Sequence, residues 1–326
     1  MTTEQTQTIL NLYNSGIMPD IIALELDITQ EEVLRIIQKE NSDEERRKII
    51  VKNVSDVPLL SKFYLDEVVN INKAIKLAQT RMWGALKVGS DFNISMEETQ
   101  NILEIYAKSK ITLVILHVDL VESTKLLMTL PVDRLATIIQ AFSQEMSLLI
   151  AAYGGYVLKY VGDAILAFFV VGSSDFYLPS INAVNCACSM IKVVREGLNP
   201  ILNQYDYPEL NVRIGIDVGE NAVVQYGWET RIIDGKVVSK RPQLDILGYT
   251  MSIATKMTTL AKPDQIIIGQ LVYEILEDKQ KSTFRQLPLS PLIWNYSSSN
   301  TGDIYHLYVS VSENETRING GLNLTD

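Results

Sequence analysis

The chain has 326 residues, with 29 lysines and arginines against 39 aspartates and glutamates, so its net charge is −10 at pH 7. This length accommodates one catalytic domain of about 200 residues and smaller helical parts, and the acidic balance argues against a general binder of nucleic acid or anionic membranes. No apolar run approaches the ~20 residues of a membrane span, and the N-terminus lacks the apolar core of a signal peptide. We therefore expect a cytoplasmic protein without a membrane partner.

Residues 1–40 are predicted to form a small unit of three short helices. Thr29 followed by Glu32 is a capping box that opens the last of them, and the segment 22–37 resembles the helix-turn-helix of small DNA-binding regulators. That last helix carries more acidic than basic side chains, whereas phosphate contacts supply most of the non-specific affinity for DNA. The sequence favours a protein partner or dimerisation for this unit, with DNA binding as the alternative.

Residues 41–109 are predicted to be a charged helical linker, with apolar side chains at helical spacing over 65–86. Such a segment would couple the N-terminal unit to the domain that follows. At the other end, residues 312–326 are rich in Asn, Glu, Thr and Gly and are predicted to be a flexible tail. The intervening domain, residues 110–311, carries the candidate chemistry.

Two apolar segments each deliver one aspartate. The run 111–118 ends at Asp119, and two further apolar runs flank the turn Gly162-Asp163, which predicts a hairpin with its acid at the tip. Because taking an unpaired carboxylate out of water is costly, an acid in so apolar a setting needs a neutralising partner. Divalent ions that clamp a triphosphate would provide one. The alternative is that Asp119 caps a helix beginning near Pro131 or ends its strand in solvent.

The rest of this domain alternates helices and strands. Apolar residues at three- and four-residue spacing predict helices over 132–152 and 181–194. Strands are predicted over 212–218, 265–268 and 304–309. This alternation suits an α/β (α+β) domain in which helices cover one face of a central sheet, in a ferredoxin-like βαββαβ arrangement. His117 is predicted to be a packed core histidine and not a ligand.

The segments that carry the two aspartates resemble those of the class III nucleotidyl cyclases, which make cyclic AMP or cyclic GMP from the nucleoside triphosphate. Four matches follow the order and spacing of that family over roughly residues 110–310, namely Asp119-Leu-Val-Glu-Ser-Thr124, Lys159-Tyr-Val-Gly-Asp163, Val212-Arg-Ile-Gly-Ile-Asp-Val-Gly219 and Leu244-Asp-Ile-Leu-Gly-Tyr-Thr-Met-Ser-Ile-Ala-Thr-Lys-Met257. The resemblance implies conversion of ATP to cyclic AMP and pyrophosphate, by attack of the ribose 3′-hydroxyl on the α-phosphate.

The resemblance also implies two Mg²⁺ or Mn²⁺ ions in each active site. Metal binding would fall to Asp119, the adjacent Leu120 and Asp163. Backbone N–H groups up to Ser123 and Thr124 would donate to phosphate oxygens where a helix begins. One ion would lower the pKa of the 3′-hydroxyl, and the other would bind the β- and γ-phosphates.

Base recognition follows from the same resemblance. Family members that use ATP read adenine with a hairpin lysine and a later aspartate or threonine, matched here by Lys159 and Asp245, whereas members that use GTP usually place glutamate and cysteine there. A lysine can donate to adenine N1 and a carboxylate can accept from the exocyclic amine, while guanine presents the opposite polarity. The sequence therefore favours ATP, and an ordinary ion pair between the two side chains is compatible with that role.

Two candidate catalytic residues depart from the family pattern. Ser252 stands where the family orients the ribose with asparagine, and Lys256 stands where it stabilises the transition state with arginine, whose planar fork lysine lacks. The segment 289–305 has no lysine or arginine to match the family's phosphate-binding lysine. Losing one such donor typically lowers the rate by about two to three orders of magnitude. The alternative function is therefore a weak or inactive cyclase-like regulator that binds nucleotide and signals through the N-terminal helices.

An implied partner is a second copy of this chain. Family members pair head to tail, with the metal aspartates from one subunit and the base-reading and transition-state residues from the other. Because this chain carries both sets, the resemblance implies a symmetric homodimer with two sites at the subunit interface. The basic segment 230–241 is predicted to be an arm that reaches the partner or, alternatively, an exposed hairpin.

Overall fold

A computed structural model describes residues 9, 19, 22–23, 26, 28–36, 70–89, 92, 94–172, 175–233, 236–297 and 302–311. The chain divides into two compact units, Met1–Ser55 and Asp56–Asp326. The predicted tail, 312–326, and the first part of the predicted linker, 41–69, lie outside the described residues. The predicted domain boundaries at residues 40 and 110 stay predictions.

The first unit has a small apolar cluster of its own, built from Ile9, Ile22, Ala23 and Val33. Its helix over 30–36 begins with the predicted capping box, in which the Glu32 N–H donates to Thr29 Oγ1 (3.3 Å) and the Thr29 N–H donates to Glu32 Oε2 (3.1 Å). This reciprocal pair satisfies two backbone donors at the helix start, so the capping prediction is confirmed. The helix-turn-helix identity of the unit and its partner stay predictions.

The second unit is built of alternating helices and strands. Its described helices are α1 (Ile71–Val88), α2 (Glu97–Ile105), α3 (Ser123–Thr129), α4 (Val132–Ala152), α5 (Tyr177–Lys192), a π-helical turn (Val193–Leu198), α6 (Asn199–Asn203), α7 (Tyr249–Leu260), α8 (Gln270–Ile275) and α9 (Asp278–Lys281). Its described strands are β1 (Lys110–Leu120), β2 (Tyr156–Val161), β3 (Ala164–Val170), β4 (Val212–Ile233), β5 (Lys236–Leu247), β6 (Gln265–Gly269), β7 (Phe284–Gln286) and β8 (Leu307–Ser310).

One eight-stranded sheet organises this unit. The strand order is β2-β3-β1-β4-β6-β8-β7, and β5 pairs with β4 outside that path. Strands β4 and β6 run parallel, whereas the other described pairs are antiparallel. Strand β1 lies between β3 and β4 and is buried along most of its length, so the side chains at its end are flanked by both neighbours.

The larger apolar core lies between one sheet face and the helices α1, α4 and α5. The predicted helix 132–152 is confirmed as α4, and the next helix begins at Tyr177 instead of 181. By length and composition alone the 21 residues of α4 could cross a membrane, but 72% of the most apolar window is buried inside the fold. A helix covered by sheet on one side and by α1 on another needs such a composition.

Helix α1 belongs to this core although it precedes the predicted catalytic domain. Ala74, Ala78 and Met82 are buried in the same apolar cluster. Arg81 donates from Nε and Nη2 to the two carboxylate oxygens of Glu145 on α4, at 2.6 and 2.7 Å. Because the Glu145 side chain is only 4% exposed, this ion pair joins α1 firmly to the helix that connects the two aspartate-bearing segments.

The second sheet face is also covered by a helix, so the expectation of helices on one face only was wrong. Helix α7 packs on β4 at two glycines: a Cβ on Gly215 would lie 2.1 Å from the Ala254 carbonyl oxygen, and one on Gly219 would lie 2.4 Å from the Tyr249 hydroxyl. Strand residues alternate between faces, so these glycines point away from the core that Ile214 enters. Helix α7 can therefore approach β4 more closely than any side chain would allow.

The predicted arm is the outer part of a long β4–β5 ribbon. Strand β4 continues well past its predicted end at 218, and its pairing with β5 includes Thr230 opposite Lys240. The antiparallel pairing agrees with the hairpin alternative, although the side chains of 231–240 lie outside the described residues. The aromatic side chains of Tyr226 and Trp228 on this ribbon are exposed. The reach of the arm to a second subunit stays a prediction.

Candidate functional site

The first candidate metal ligand is held by an arginine. Asp119 lies one residue before the end of β1, directly opposite Arg213 of β4 in the antiparallel register. Arg213 donates from Nε (2.9 Å) and Nη2 (2.7 Å) to the same carboxylate oxygen, Asp119 Oδ2. The side chain of Asp119 is 18% exposed. The helix-cap alternative for Asp119 is excluded, because the cap position of α4 is Pro131 and that of α3 is Glu122.

The second candidate metal ligand has an unsatisfied oxygen. Asp163 follows Gly162 in the tight turn between β2 and β3, where the positive φ of Gly162 (65°) favours glycine. Within the described part of the chain, the buried oxygen Asp163 Oδ2 has no hydrogen-bond partner. A buried carboxylate oxygen without a partner is costly. The Asp163 carboxylate therefore fits a bound cation.

His117 connects these groups electrostatically. Burial, the largest cause, lowers the pKa of the His117 imidazole; the carboxylates of Asp119 and Asp163 oppose that shift, and Arg213 adds to it. The predicted core position of His117 is confirmed, since its side chain is buried. Val118 lies opposite Ile165 in the β1–β3 register, which puts Asp163, two residues before Ile165, beside the end of β1 where Asp119 faces Arg213. We call Asp119, Asp163 and Arg213 the carboxylate cluster.

The remaining predicted metal and phosphate residues follow β1. The side chain of Leu120 lies in the apolar core, so only its backbone carbonyl could serve an ion. Ser123 is the first residue of α3, and the side chain of Thr124 lies outside the described residues. Among the described residues, no cluster of three or more His, Cys, Asp and Glu side chains is placed to hold a metal. A metal here would depend on two carboxylates and backbone oxygens.

The two predicted base-reading residues, Lys159 on β2 and Asp245 on β5, form an ion pair. The Lys159 ammonium donates to Asp245 Oδ2 at 2.5 Å, with 37% and 24% of the two side chains exposed. The other oxygen, Asp245 Oδ1, accepts from the Ile246 N–H at 2.8 Å. The Gln100 side chain on α2 pairs with both backbone groups of Leu244. The Gln100 contacts therefore fix the strand segment that carries Asp245, and the Lys159 ammonium donor lies beside the Asp245 carboxylate acceptor.

The two candidate catalytic residues lie one turn apart on α7. Ser252 and Lys256 are both exposed, and the Lys256 ammonium lies 5.4 Å from the centre of the Tyr296 ring. The structure thus forms the carboxylate cluster and the Lys159–Asp245 pair within one subunit. Ser252 and Lys256 are exposed instead. Their catalytic roles stay predictions.

Two residues of β4 were not predicted from the sequence to have a role. Arg213 stands in one of the family motifs, but no role was predicted for it. A cation on a strand that pairs with the Asp119 strand could have indicated an ion pair. Asp217 stands in the same motif, and a lone acid in an apolar strand could have indicated a buried carboxyl. It is fully buried, its Oδ1 accepts from the Tyr305 hydroxyl at 2.6 Å, and burial raises the pKa of its carboxyl to about 7.

Curated relatives resemble part of the chain. A cytidylate cyclase of Escherichia coli is 27% identical over 175 residues, which is 52% of this chain and 37% of that protein. A cytidylate cyclase of Staphylococcus aureus is 27% identical over 176 residues, which is 53% of this chain and 39% of that protein. The chain thus spans less than half the length of these curated relatives.

Solved structures and a family profile also match. The adenylyl cyclase CyaB from P. aeruginosa superposes with a TM-score of 0.48 and 19% identity, over 63% of this chain and 96% of that one. The family described as the adenylate and guanylate cyclase catalytic domain matches residues 105–289. This match covers more than half of the 326 residues and includes the carboxylate cluster and the Lys159–Asp245 pair. The chain belongs to the adenylate and guanylate cyclase catalytic domain family.

Proposed function

We propose that this chain cyclises a nucleoside triphosphate whose base carries an exocyclic amine, with CTP as the preferred substrate and ATP as the second. In this reaction the ribose 3′-oxygen forms a bond to the α-phosphorus. The bond between the α-phosphorus and the oxygen that links it to the β-phosphate breaks, and pyrophosphate leaves. The 3′-hydroxyl proton passes to solvent. The observation that carries the proposal is the Lys159–Asp245 pair, which offers an ammonium donor beside a carboxylate acceptor.

The polarity of this pair matches two of the four common bases. Adenine and cytosine each present a ring nitrogen acceptor next to an amine donor, whereas guanine and uracil present a carbonyl next to a ring N–H. Lys159 would donate to the ring nitrogen, and Asp245 would accept from the amine. The Gln100 contacts to β5 support this reading because they orient the strand that carries Asp245.

Two considerations order the two amine-bearing substrates. The sequence motifs favour ATP through the resemblance to cyclases that read adenine with lysine and aspartate. The curated relatives named cytidylate cyclases favour CTP, and cytosine offers the same edge as adenine on a smaller ring. We therefore place CTP first, with cyclic CMP as its product, and retain the conversion of ATP to cyclic AMP as the alternative.

The carboxylate cluster supports a role for divalent ions in this reaction. Asp119 and Asp163 would hold Mg²⁺ or Mn²⁺, with the Leu120 carbonyl as a further oxygen donor. When bound, such ions neutralise phosphate charge and lower the pKa of the attacking hydroxyl. The backbone N–H groups of Ser123 and Thr124 would orient phosphate oxygens. Ser252 would bind the ribose, and Lys256 would stabilise charge on the transferred phosphorus.

A homodimer would complete each site. The exposure of Ser252 and Lys256 supports their acting on a nucleotide held against the aspartates of a second subunit. The exposed Tyr226 and Trp228 on the β4–β5 ribbon also support a subunit contact, since aromatic side chains are enriched in interfaces. We propose a symmetric dimer with two such sites.

A second candidate function is nucleotide binding without turnover. Arg213 already neutralises Asp119, and Ser252 and Lys256 are weaker donors than the asparagine and arginine of the family pattern. Such a protein would report nucleotide binding through the N-terminal unit, to a protein partner or, less favoured by its acidic helix, to DNA. The predicted cytoplasmic location suits both functions.

Product analysis tests the proposal. Purified chain is incubated with each of the four nucleoside triphosphates and Mn²⁺, and products are identified by mass spectrometry. We expect a cyclic product from CTP, a smaller amount from ATP, and its loss in Asp163→Asn; the exposed acid Glu104 on α2 provides the matched control, Glu104→Gln. Nucleotide binding by calorimetry with no cyclic product from any triphosphate would refute the enzyme and support the regulator. Cyclic GMP or cyclic UMP as the main product would refute the base assignment alone.

A further inference from the structure

We propose that Arg213 is a built-in competitor of the metal at Asp119, so that the chain without nucleotide binds divalent ions weakly. The proposal rests on the metal role proposed above for Asp119 and Asp163. It assigns to Arg213 a regulatory contact that would have to break before an ion could bind at Asp119. Metal loading and nucleotide binding would then be coupled.

Backbone pairing between β1 and β4 positions Arg213 next to Asp119. Arg213 and Asp119 are direct partners in the β1–β4 register, so the guanidinium starts from a fixed position beside the carboxylate. Two of its N–H groups converge on one oxygen, Asp119 Oδ2, at 2.9 and 2.7 Å. Arginine–carboxylate contacts of this length are among the strong hydrogen bonds of proteins. Only a small part of either side chain is exposed, 28% for Arg213 and 18% for Asp119, so solvent screens the pair weakly.

The second carboxylate shows that the guanidinium neutralises one acid only. Asp163 Oδ2 is buried and lacks a hydrogen-bond partner among the described residues, although the β1–β3 register puts Asp163 beside the end of β1, where Asp119 faces Arg213. One cation therefore serves one of two neighbouring acids. A divalent ion held by these two acids would neutralise Asp163, but it would meet the positive charge of Arg213 at Asp119.

The effect of the Arg213 contact on metal affinity can be estimated. An ion at Asp119 must replace a charge-assisted contact, which corresponds to about tenfold to hundredfold in the equilibrium constant. It also experiences repulsion from the guanidinium that it displaces. The released guanidinium needs a new anion, and the oxygens of a triphosphate would match its planar fork. Ions would thus be bound more tightly with nucleotide than without it.

Binding of Mn²⁺ alone to the full chain, measured by electron paramagnetic resonance without nucleotide, tests the proposal. Arg213→Gln removes the charge, whereas Arg213→Lys keeps the charge and loses the forked contact. We expect both variants to bind Mn²⁺ at least tenfold more tightly than the natural chain. Lys110→Gln is the control, because Lys110 lies at the other end of β1, exposed and paired with Glu220, and we expect no change in affinity there.

Each other outcome overturns a distinct part. Unchanged affinity in both Arg213 variants would refute the competition while leaving the metal site intact. Tighter Mn²⁺ binding in Arg213→Gln alone would mean that the positive charge at position 213 weakens metal binding without the forked contact to Asp119. It would refute the role proposed for that contact. Absence of Mn²⁺ binding in every variant, or binding that survives Asp163→Asn, would overturn the proposed metal site together with this inference. Circular dichroism melting curves confirm that each variant is folded.

Discussion

Replacing the buried carboxyl Asp217 should change how the stability of the chain depends on pH. Asp217 lies in β4, on the face covered by α7, and its side chain is fully buried. Its Oδ1 accepts from the Tyr305 hydroxyl, while its Oδ2 has no partner among the described residues. Other titratable groups that act on this region are Tyr249 and, more weakly, Glu220. The perturbation is Asp217→Asn, which keeps the shape and removes the ionisation.

The magnitude follows from the pKa of this carboxyl. Burial raises it from an ordinary value of 3.8 to about 7, against the hydrogen bond from Tyr305, which lowers it. Between these values the folded chain retains a proton that the unfolded chain has released, so stability from this group is present below pH 4 and lost as pH rises to 7. Each pH unit corresponds to about 1.4 kcal/mol. The full loss at pH 8 is therefore about 4 kcal/mol.

Urea unfolding at several pH values, followed by circular dichroism, measures the effect as the difference between the two proteins. Asparagine carries no charge at any of these pH values, so we expect Asp217→Asn to gain relative stability from pH 5 to pH 7 by about 1.4 kcal/mol per unit. Above pH 8 the difference should be constant. A difference that does not change with pH would refute the raised pKa, whatever its absolute size. Tyr305→Phe provides a second check, because losing the hydroxyl that lowers the pKa of Asp217 should move the upper end of the pH-dependent window to higher pH.

Three further predictions concern packing and recognition. Glu145→Gln removes one charge of the Arg81–Glu145 ion pair at its more buried end, and should lower the free energy of unfolding by about 3 kcal/mol in urea titrations; a loss below ~0.5 kcal/mol would mean that solvent screens the pair. Gly215→Ala forces a methyl group against the backbone of α7 and should lower the thermal midpoint by several degrees, whereas Gly227→Ala on the open ribbon should not; equal effects would refute the close approach. Lys159→Gln introduces both a donor and an acceptor at the base edge, and should reduce the preference of kcat/KM for CTP over UTP about tenfold to hundredfold; an unchanged preference would remove Lys159 from base reading.

Local patterns in the sequence determined several elements correctly. The capping box of Thr29 and Glu32, the long helix α4 and the hairpin with Asp163 at its tip all depend on residues close together in the chain. Their signals are the spacing of apolar side chains, the hydrogen-bonding groups of short polar residues, and the freedom of glycine in a turn. Such signals act over a few residues, and they can be read without knowing what packs against them.

The family motifs determined which residues carry the chemistry, and only tertiary structure decided their partners. Asp119 meets Arg213 because β1 and β4, 94 residues apart along the chain at this pair, align in one register. Lys159 meets Asp245, 86 residues further along the chain, because the pairing of β5 with β4 brings Asp245 back to the β2 strand. Register and strand order depend on which faces of the whole sheet are buried, and single segments carry no information on that choice.

The placement of α7 shows the same limit. The family motif that contains α7 does not reveal which sheet face the helix covers. Gly215 and Gly219 make that choice, since the absence of side chains on one face of β4 lets α7 lie against the strand. The sequence by itself determined the local elements and the family. The tertiary structure decided which charges meet, because burial acts on faces assembled from distant segments.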